Sequence, residues 1–222
     1  MVFVLLTLLS SFILLQSCAY GVTNPSMKSI IIVSEYEGYS SYEMGKASSF
    51  YSHMRNNCSA DDIIYLTNMS QMEADGNATV NNIENAFNWL KQNSTAETEV
   101  VIYIYDHAQC ISNENYLIFN DGNISFNCIN GWLNQTSYGK MTVILNGKQS
   151  GIGGPELKEG IRDIICSMGS FQEYNPDLFN ITRSLEDSSA DTNQDGQVSY
   201  IEAYWKEVGN LQEYDQDPCI WI

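Results

Sequence analysis

The chain has 222 residues, 44% hydrophobic and 17% charged, which suits one sizeable globular domain and not comfortably two. Its formal net charge is -17 and its sequence pI about 4.2. Such a charge excludes a nucleic-acid binder and a protein drawn to an anionic membrane surface, and it tolerates divalent cations.

The first 27 residues carry no charged side chain. Val2 to Leu15 is an almost purely apolar run, and Ser17-Cys18-Ala19 supplies small residues for cleavage, so residues 1–19 read as a signal peptide. The run is shorter than the roughly 20 residues a membrane-spanning helix needs, and no second apolar span follows. Leu15-Gln16-Ser17-Cys18 admits a second reading, a lipoprotein site with Cys18 lipidated. The chain is thus expected to be secreted, or held within the secretory or lysosomal pathway, with a lipid anchor through Cys18 as the alternative. Cleavage leaves Cys58, Cys110, Cys128, Cys166 and Cys219. An oxidising compartment permits disulfides. Cys110 with Cys128 is the favoured pair, because a turn-rich segment separates them. Asn57, Asn68, Asn77, Asn93, Asn123, Asn134 and Asn180 each head an Asn-x-Ser/Thr triplet, which agrees with a secreted glycoprotein.

Strand and helix patterns then alternate. Ser29 to Val33 is a short β-branched apolar run, as buried strands are. From Tyr42 to Met54, Met44, Ala47, Phe50, Tyr51 and Met54 recur at helical spacing. His53 lies on that helix and reads as structural. Ile63 to Leu66 is a second strand. Thr79 caps a helix whose Ile83, Ala86, Phe87 and Leu90 share a face. Val100 to Tyr105 is a third strand. Tyr116–Phe119 and Ile124–Phe126 flank Asn120-Asp121-Gly122 as a hairpin. Trp132 and Leu133 suit a short helix, and Met141–Leu145 and Ile161–Cys166 are the fourth and fifth strands. This order predicts an α/β fold with a mainly parallel sheet and helices on both faces. Functional groups in such sheets gather at the carboxyl ends of strands. Here the third strand ends in Asp106-His107-Ala108, and the fourth in Asn146-Gly147-Lys148-Gln149-Ser150-Gly151.

These blocks resemble the caspase-like cysteine peptidases, and the legumain branch most closely. Members show an apolar strand ending in His-Gly, then one ending in Asp- or Glu-Ala-Cys-x-Ser-Gly. Val101 to Ala108 resembles the first and Met141 to Gly151 the second, with Asp61 to Thr67, Ile83 to Leu90 and Ile164 to Ser167 in matching order. The resemblance, from Ser29 to about Glu213, implies a three-layer αβα sandwich. It also implies that His107 takes the place of the catalytic histidine and Ala108 that of the following glycine. Asn146 stands for the acidic residue, Gly147 for the alanine and Lys148 for the nucleophilic cysteine. The chemistry needs an attacking thiolate, a histidine managing protons and backbone N–H groups for the oxyanion. A lysine cannot form the thioester. The resemblance therefore points to a vestigial His107 in a pseudopeptidase. The alternative is an active endopeptidase cutting after Asn or Asp, with Cys110 or Cys166 as the nucleophile.

Asp191 to Glu202 fits the twelve-residue EF-hand pattern. Asp191, Asn193 and Asp195 supply oxygens at positions one, three and five. Gly196 permits the turn at six. Gln197 offers its carbonyl, Ser199 its hydroxyl, and Glu202 both carboxylate oxygens at twelve. A helix from Tyr200 to Val208 follows, while Asn180 to Ala190 makes a poorer leading helix. The expected layout is a caspase/legumain-like domain over 29–190 and an EF-hand-like loop and helix over 191–210. The expected cofactor is Ca2+. A peptide or protein ligand in the old cleft is the expected partner, and a calcium-dependent structural or adhesion module is the third reading.

Overall fold

A computed structural model describes residues 26–34, 41–69, 74–170, 178–212, 214 and 216–222. The expected leader and Cys18 lie outside the described residues. In chain order the elements are β1 (Met27–Val33), α1 (Ser41–Asn57), β2 (Ile63–Thr67), α2 (Val80–Asn93), β3 (Glu99–Tyr105), β4 (Ala108–Ile111), β5 (Glu114–Phe119), β6 (Gly122–Ser125), α3 (Phe126–Leu133), β7 (Lys140–Asn146), α4 (Gly154–Leu157), β8 (Arg162–Cys166), α5 (Ile181–Leu185), α6 (Tyr200–Leu211) and β9 (Cys219–Trp221).

One six-stranded sheet runs in the order β2-β1-β3-β7-β8-β9, parallel except for β9. Its strands are apolar on both faces because helices cover both. The period of two along each strand sends alternate side chains to opposite layers. Ile30, Ile32, Ile102, Ile104, Val143, Leu145 and Ile164 pack with Phe87 and Leu90 of α2, Phe126 and Ile129 of α3 and Leu157 of α4. Ile31, Val33, Val101, Tyr103, Tyr105, Ile144 and Ile165 pack with Phe50 and Met54 of α1, Ile181 of α5 and Tyr204 and Leu211 of α6. Phe50 stacks on Tyr103 with ring centroids 4.3 Å apart. The helix that follows the EF-hand motif is thus part of the main core.

The expected elements are present with shifted ends. Thr79 caps α2 by accepting the Asn82 N–H. Phe126, expected in the hairpin, opens α3 instead, because the Ser125 side chain accepts the Cys128 N–H and starts a helix there. Two strands carried no clear pattern. β4 makes a three-stranded antiparallel ribbon with β5 and β6, and β9 closes the main sheet at β8. Both are only three or four residues long and half exposed, so alternation has no room to show.

Two charged side chains are buried with full sets of partners. Arg162 donates to the Tyr138 hydroxyl at 3.1 Å, to Asn130 Oδ1 at 2.5 Å, to the Leu157 carbonyl at 3.1 Å and to Asn134 Oδ1. Glu207, on α6, accepts from Arg183 at 3.1 Å, from the Asn180 N–H at 2.9 Å and from the Ser184 hydroxyl. It thereby pins α5 to α6.

Candidate functional site

Register places the site. Val33 of β1 pairs with Tyr105 of β3, Tyr105 with Asn146 of β7, and Leu145 with Cys166 of β8. The residues just past these ends, Ser34, Asp106-His107, Gly147-Lys148 and Ser167, therefore meet at the carboxyl edge of the sheet. The two strand ends singled out in the sequence are brought together.

His107 is buried and its backbone N–H donates to Asp106 Oδ1 at 2.7 Å. Burial lowers the imidazole pKa first, and the Lys148 ammonium lowers it further, against a hydrogen bond to the Lys148 backbone. His107 is therefore neutral at neutral pH. Asp106 is pushed well above the usual carboxylate range by burial, opposed by the His107 N–H and the Ser34 hydroxyl. Lys148 itself is exposed.

Three backbone N–H groups around this turn are consumed internally. Ala108 keeps its N–H, as expected, but donates it to the Lys148 carbonyl at 2.9 Å. The Gly147 N–H donates to Ser167 Oγ at 3.1 Å, and the Gln149 N–H to Met168 Sδ at 3.2 Å. Ser150 Oγ lies 3.3 Å from Ser167 Oγ, with both serines buried. The turn itself is unusual. Gly147 has φ +152°, and a Cβ there would stand 1.9 Å from the Asp106 carbonyl oxygen. Gln149 is left-handed at φ 58°. Asn146, which the resemblance sets at the acidic position, donates to the Tyr103 hydroxyl at 3.0 Å inside the core. Sequence reasoning missed Ser34 and Met168, and it placed Ser150 and Ser167 within its motif blocks without giving them a role. The strand registers carry the only signal that would have found them.

The cysteines differ from expectation. All five in the described residues are free thiols. Cys110 and Cys128 do not pair, and both are exposed. Cys110 lies on β4, at one edge of the ribbon, and Cys128 on α3, which follows β6 at the other edge. Cys166 is fully buried, and burial pushes its thiol well above the usual range. A thiol so placed is a poor nucleophile.

The EF-hand motif forms an exposed turn. Gln194 at φ 61° and Gly196 at φ 90° provide two left-handed positions. Asp191 accepts the Asp195 and Gly196 N–H groups at 3.2 and 3.0 Å. Asp195 accepts from Gln197 at 2.9 Å, and Asn193 Oδ1 from Asp195 at 2.8 Å. Glu202 takes the Thr192 and Asn193 N–H groups and the Thr192 hydroxyl on Oε1. It takes the Ser199 N–H and hydroxyl on Oε2, completing a capping box for α6. These bonds, led by the Ser199 N–H, hold its pKa down to about 2. The donor set is entirely oxygen, the chemistry calcium prefers. Among the described residues, however, no group of three or more His, Cys, Asp or Glu side chains is gathered as a metal cluster. Glu202 instead spends its oxygens on the loop.

No helix among the described residues is long and apolar enough to cross a membrane. The chain matches no protein-family model and no curated protein sequence. Solved structures resemble it in fold. A Geobacter sulfurreducens protein from a structural genomics programme superposes with a TM-score of 0.59 at 14% identity, covering 89% of this chain and 93% of that one. The Drosophila initiator caspase Dronc superposes with a TM-score of 0.59 at 10% identity, covering 89% of this chain and 79% of its own. At such identities the likeness speaks to architecture alone. The chain has a caspase-like α/β fold, with a mostly parallel central sheet between two layers of helices.

Proposed function

We propose that the chain is a secreted, calcium-binding pseudopeptidase of the legumain-like cysteine peptidase family, with the old cleft retained for a peptide or protein. One observation carries this reading. The residue at the nucleophile position is Lys148, and its carbonyl occupies the Ala108 N–H at 2.9 Å. Both the nucleophile and an oxyanion donor are thus missing from the reacting centre, and losing one donor alone costs about 10²–10³ in rate in such sites. Neither Cys110, exposed on the ribbon, nor Cys166, buried in the sheet, supports a rescue.

The test is cleavage of a fluorogenic peptide panel, with Asn and Asp before the scissile bond, at acid and neutral pH. Wild type and Lys148→Cys are both expected to be silent, because a restored thiol still faces a closed donor. Anisotropy of the same labelled peptides is expected to report binding. Cleavage by wild type would overturn the pseudopeptidase reading. Cleavage by Lys148→Cys alone would show that the Ala108 donor opens on binding.

Exposed sequon residues Asn77 and Asn123 support passage through a secretory pathway; Asn57, Asn93 and Asn134 are exposed too, but their side chains are bonded to the His53 carbonyl, to the Trp89 carbonyl, and to Arg162 and Glu159. Asn68 and Asn180 are half-buried, with side chains already bonded to the Ala78 carbonyl and the Arg183 N–H. For calcium, Asp191, Asn193, Asp195, Gln197, Ser199 and Glu202 are the residues that would hold the ion. Binding must displace the hydrogen bonds on Glu202, so an affinity in the ~10⁻⁴–10⁻³ M range of extracellular modules is expected. At ten times Kd, calcium should stabilise the fold by about 1.4 kcal/mol, a rise of roughly 4 °C in Tm. Scanning calorimetry with calcium, with magnesium and with Glu202→Gln checks this. Equal responses in wild type and Glu202→Gln would remove calcium from the reading.

A further inference from the structure

We infer that Cys166 and Cys219 form a cross-strand disulfide that ties β9 to the sheet beside the candidate site. The antiparallel register of β8 and β9 sets Cys166 opposite Cys219, Ile165 opposite Ile220 and Ile164 opposite Trp221. Directly opposed residues in such a pair have Cβ atoms about 4.5–5.5 Å apart. A disulfide closes at Cβ separations of about 3.5–4.5 Å, so a small adjustment of the short edge strand suffices. The environments of the two thiols differ in the way exchange chemistry uses. The neighbouring Cys166 thiol lowers the pKa of half-buried Cys219, whereas burial raises that of Cys166.

The chemistry needs a low-molecular-weight disulfide as oxidant, and glutathione disulfide serves. The Cys219 thiolate attacks one glutathione sulfur, forming a mixed disulfide and releasing one glutathione thiolate. The released glutathione thiolate takes the Cys166 proton, and Cys166, a poor nucleophile toward outside substrates but held opposite its target by the strand register, attacks the Cys219 sulfur and releases the second glutathione. Two protein thiols are oxidised, one disulfide is reduced, and two glutathiones leave with the protons.

The position gives the bond a consequence. Cys219 Sγ lies 3.4 Å from the Met168 carbonyl, and a Cβ on Gly151 would stand 3.1 Å from that sulfur. Met168 and Ser167 are the residues that receive the Gln149 and Gly147 N–H groups. The Gln216 side chain also donates to the Ser167 carbonyl at 2.9 Å. The bridge therefore braces the wall on which the Lys148 turn rests. It also closes a loop of roughly 50 residues containing α5, the EF-hand motif and α6. This inference stands apart from the pseudopeptidase reading, since either can fail alone.

The test uses the purified full chain equilibrated with a glutathione disulfide/glutathione buffer, acid-quenched, denatured and alkylated. Non-reducing digestion and mass spectrometry then locate the linkages. A Cys166–Cys219 linked peptide is expected in most molecules, and oxidised wild type should melt about 10 °C above both reduced wild type and Cys219→Ser. Alkylation of both cysteines, a stable glutathione adduct on Cys219, or a Cys110–Cys128 bridge in place of this pair would overturn it. Because the linkage is read on wild type, misfolding of the variant cannot rescue or sink the inference.

Discussion

Gly147→Ala is expected to destabilise the protein by about 4 kcal/mol, combining roughly 1–3 for the backbone conformation and roughly 1–3 for overpacking. At φ +152° only glycine is at ease, and the added Cβ would meet the Asp106 carbonyl oxygen at 1.9 Å, far inside contact. That oxygen belongs to the backbone of a buried strand end, so no side chain can swing aside. For a chain of this size the loss corresponds to roughly 12 °C in Tm. Gly209→Ala, on α6 with open space around it, is the control and should be neutral or stabilising by up to about 1 kcal/mol. Urea melts of the pair measure the difference. The result bears on the cleft. The resemblance sets this position against an alanine in the family's motif, and an alanine in this turn would carry the strain and the clash just given. Glycine at 147 and the closed Lys148–Ala108 hydrogen bond therefore belong together. A well-tolerated Gly147→Ala would mean that the turn opens readily.

Glu207→Ala should cost about 3 kcal/mol, because it strands the Ser184 hydroxyl and the Asn180 N–H at roughly 1–3 kcal/mol each. The Glu207 side chain is 0% exposed, whereas that of Arg183 is 51% exposed. Arg183 can return to water, so the ion pair itself is worth little and the buried hydrogen bonds carry the loss. Glu207→Gln keeps the shape and one acceptor and should cost roughly half as much. Since Glu207 holds α5 against α6, and the EF-hand motif lies between them, Glu207→Ala should also blunt the calcium-induced rise in Tm. Denaturant unfolding with and without calcium reads both effects. Loss of stability with an undiminished calcium response would separate the ion site from the helix pair.

The strands legible in sequence were those buried on both faces. Runs such as Val100–Tyr105 and Met141–Leu145 are almost wholly apolar, so their composition marks them as core strands. Thr79 could be placed as a helix start because an N-cap bond is made within three residues. The same locality made Asp191 to Glu202 recognisable as an oxygen-rich turn. The candidate site depended on contacts between residues distant in sequence. His107 and Lys148 meet only because β3 and β7 run parallel in one register. That the Ala108 N–H is spent, rather than available, follows from a carbonyl forty residues away. The cysteines make the same point. Cys110 and Cys128 are nearer in sequence, yet a strand of the ribbon stands between their elements. Cys166 and Cys219, far apart along the chain, are set opposite each other by a three-residue edge strand too short to leave a pattern. Local propensity and burial are written in neighbouring residues. Pairing across a sheet is decided only when the whole chain has packed.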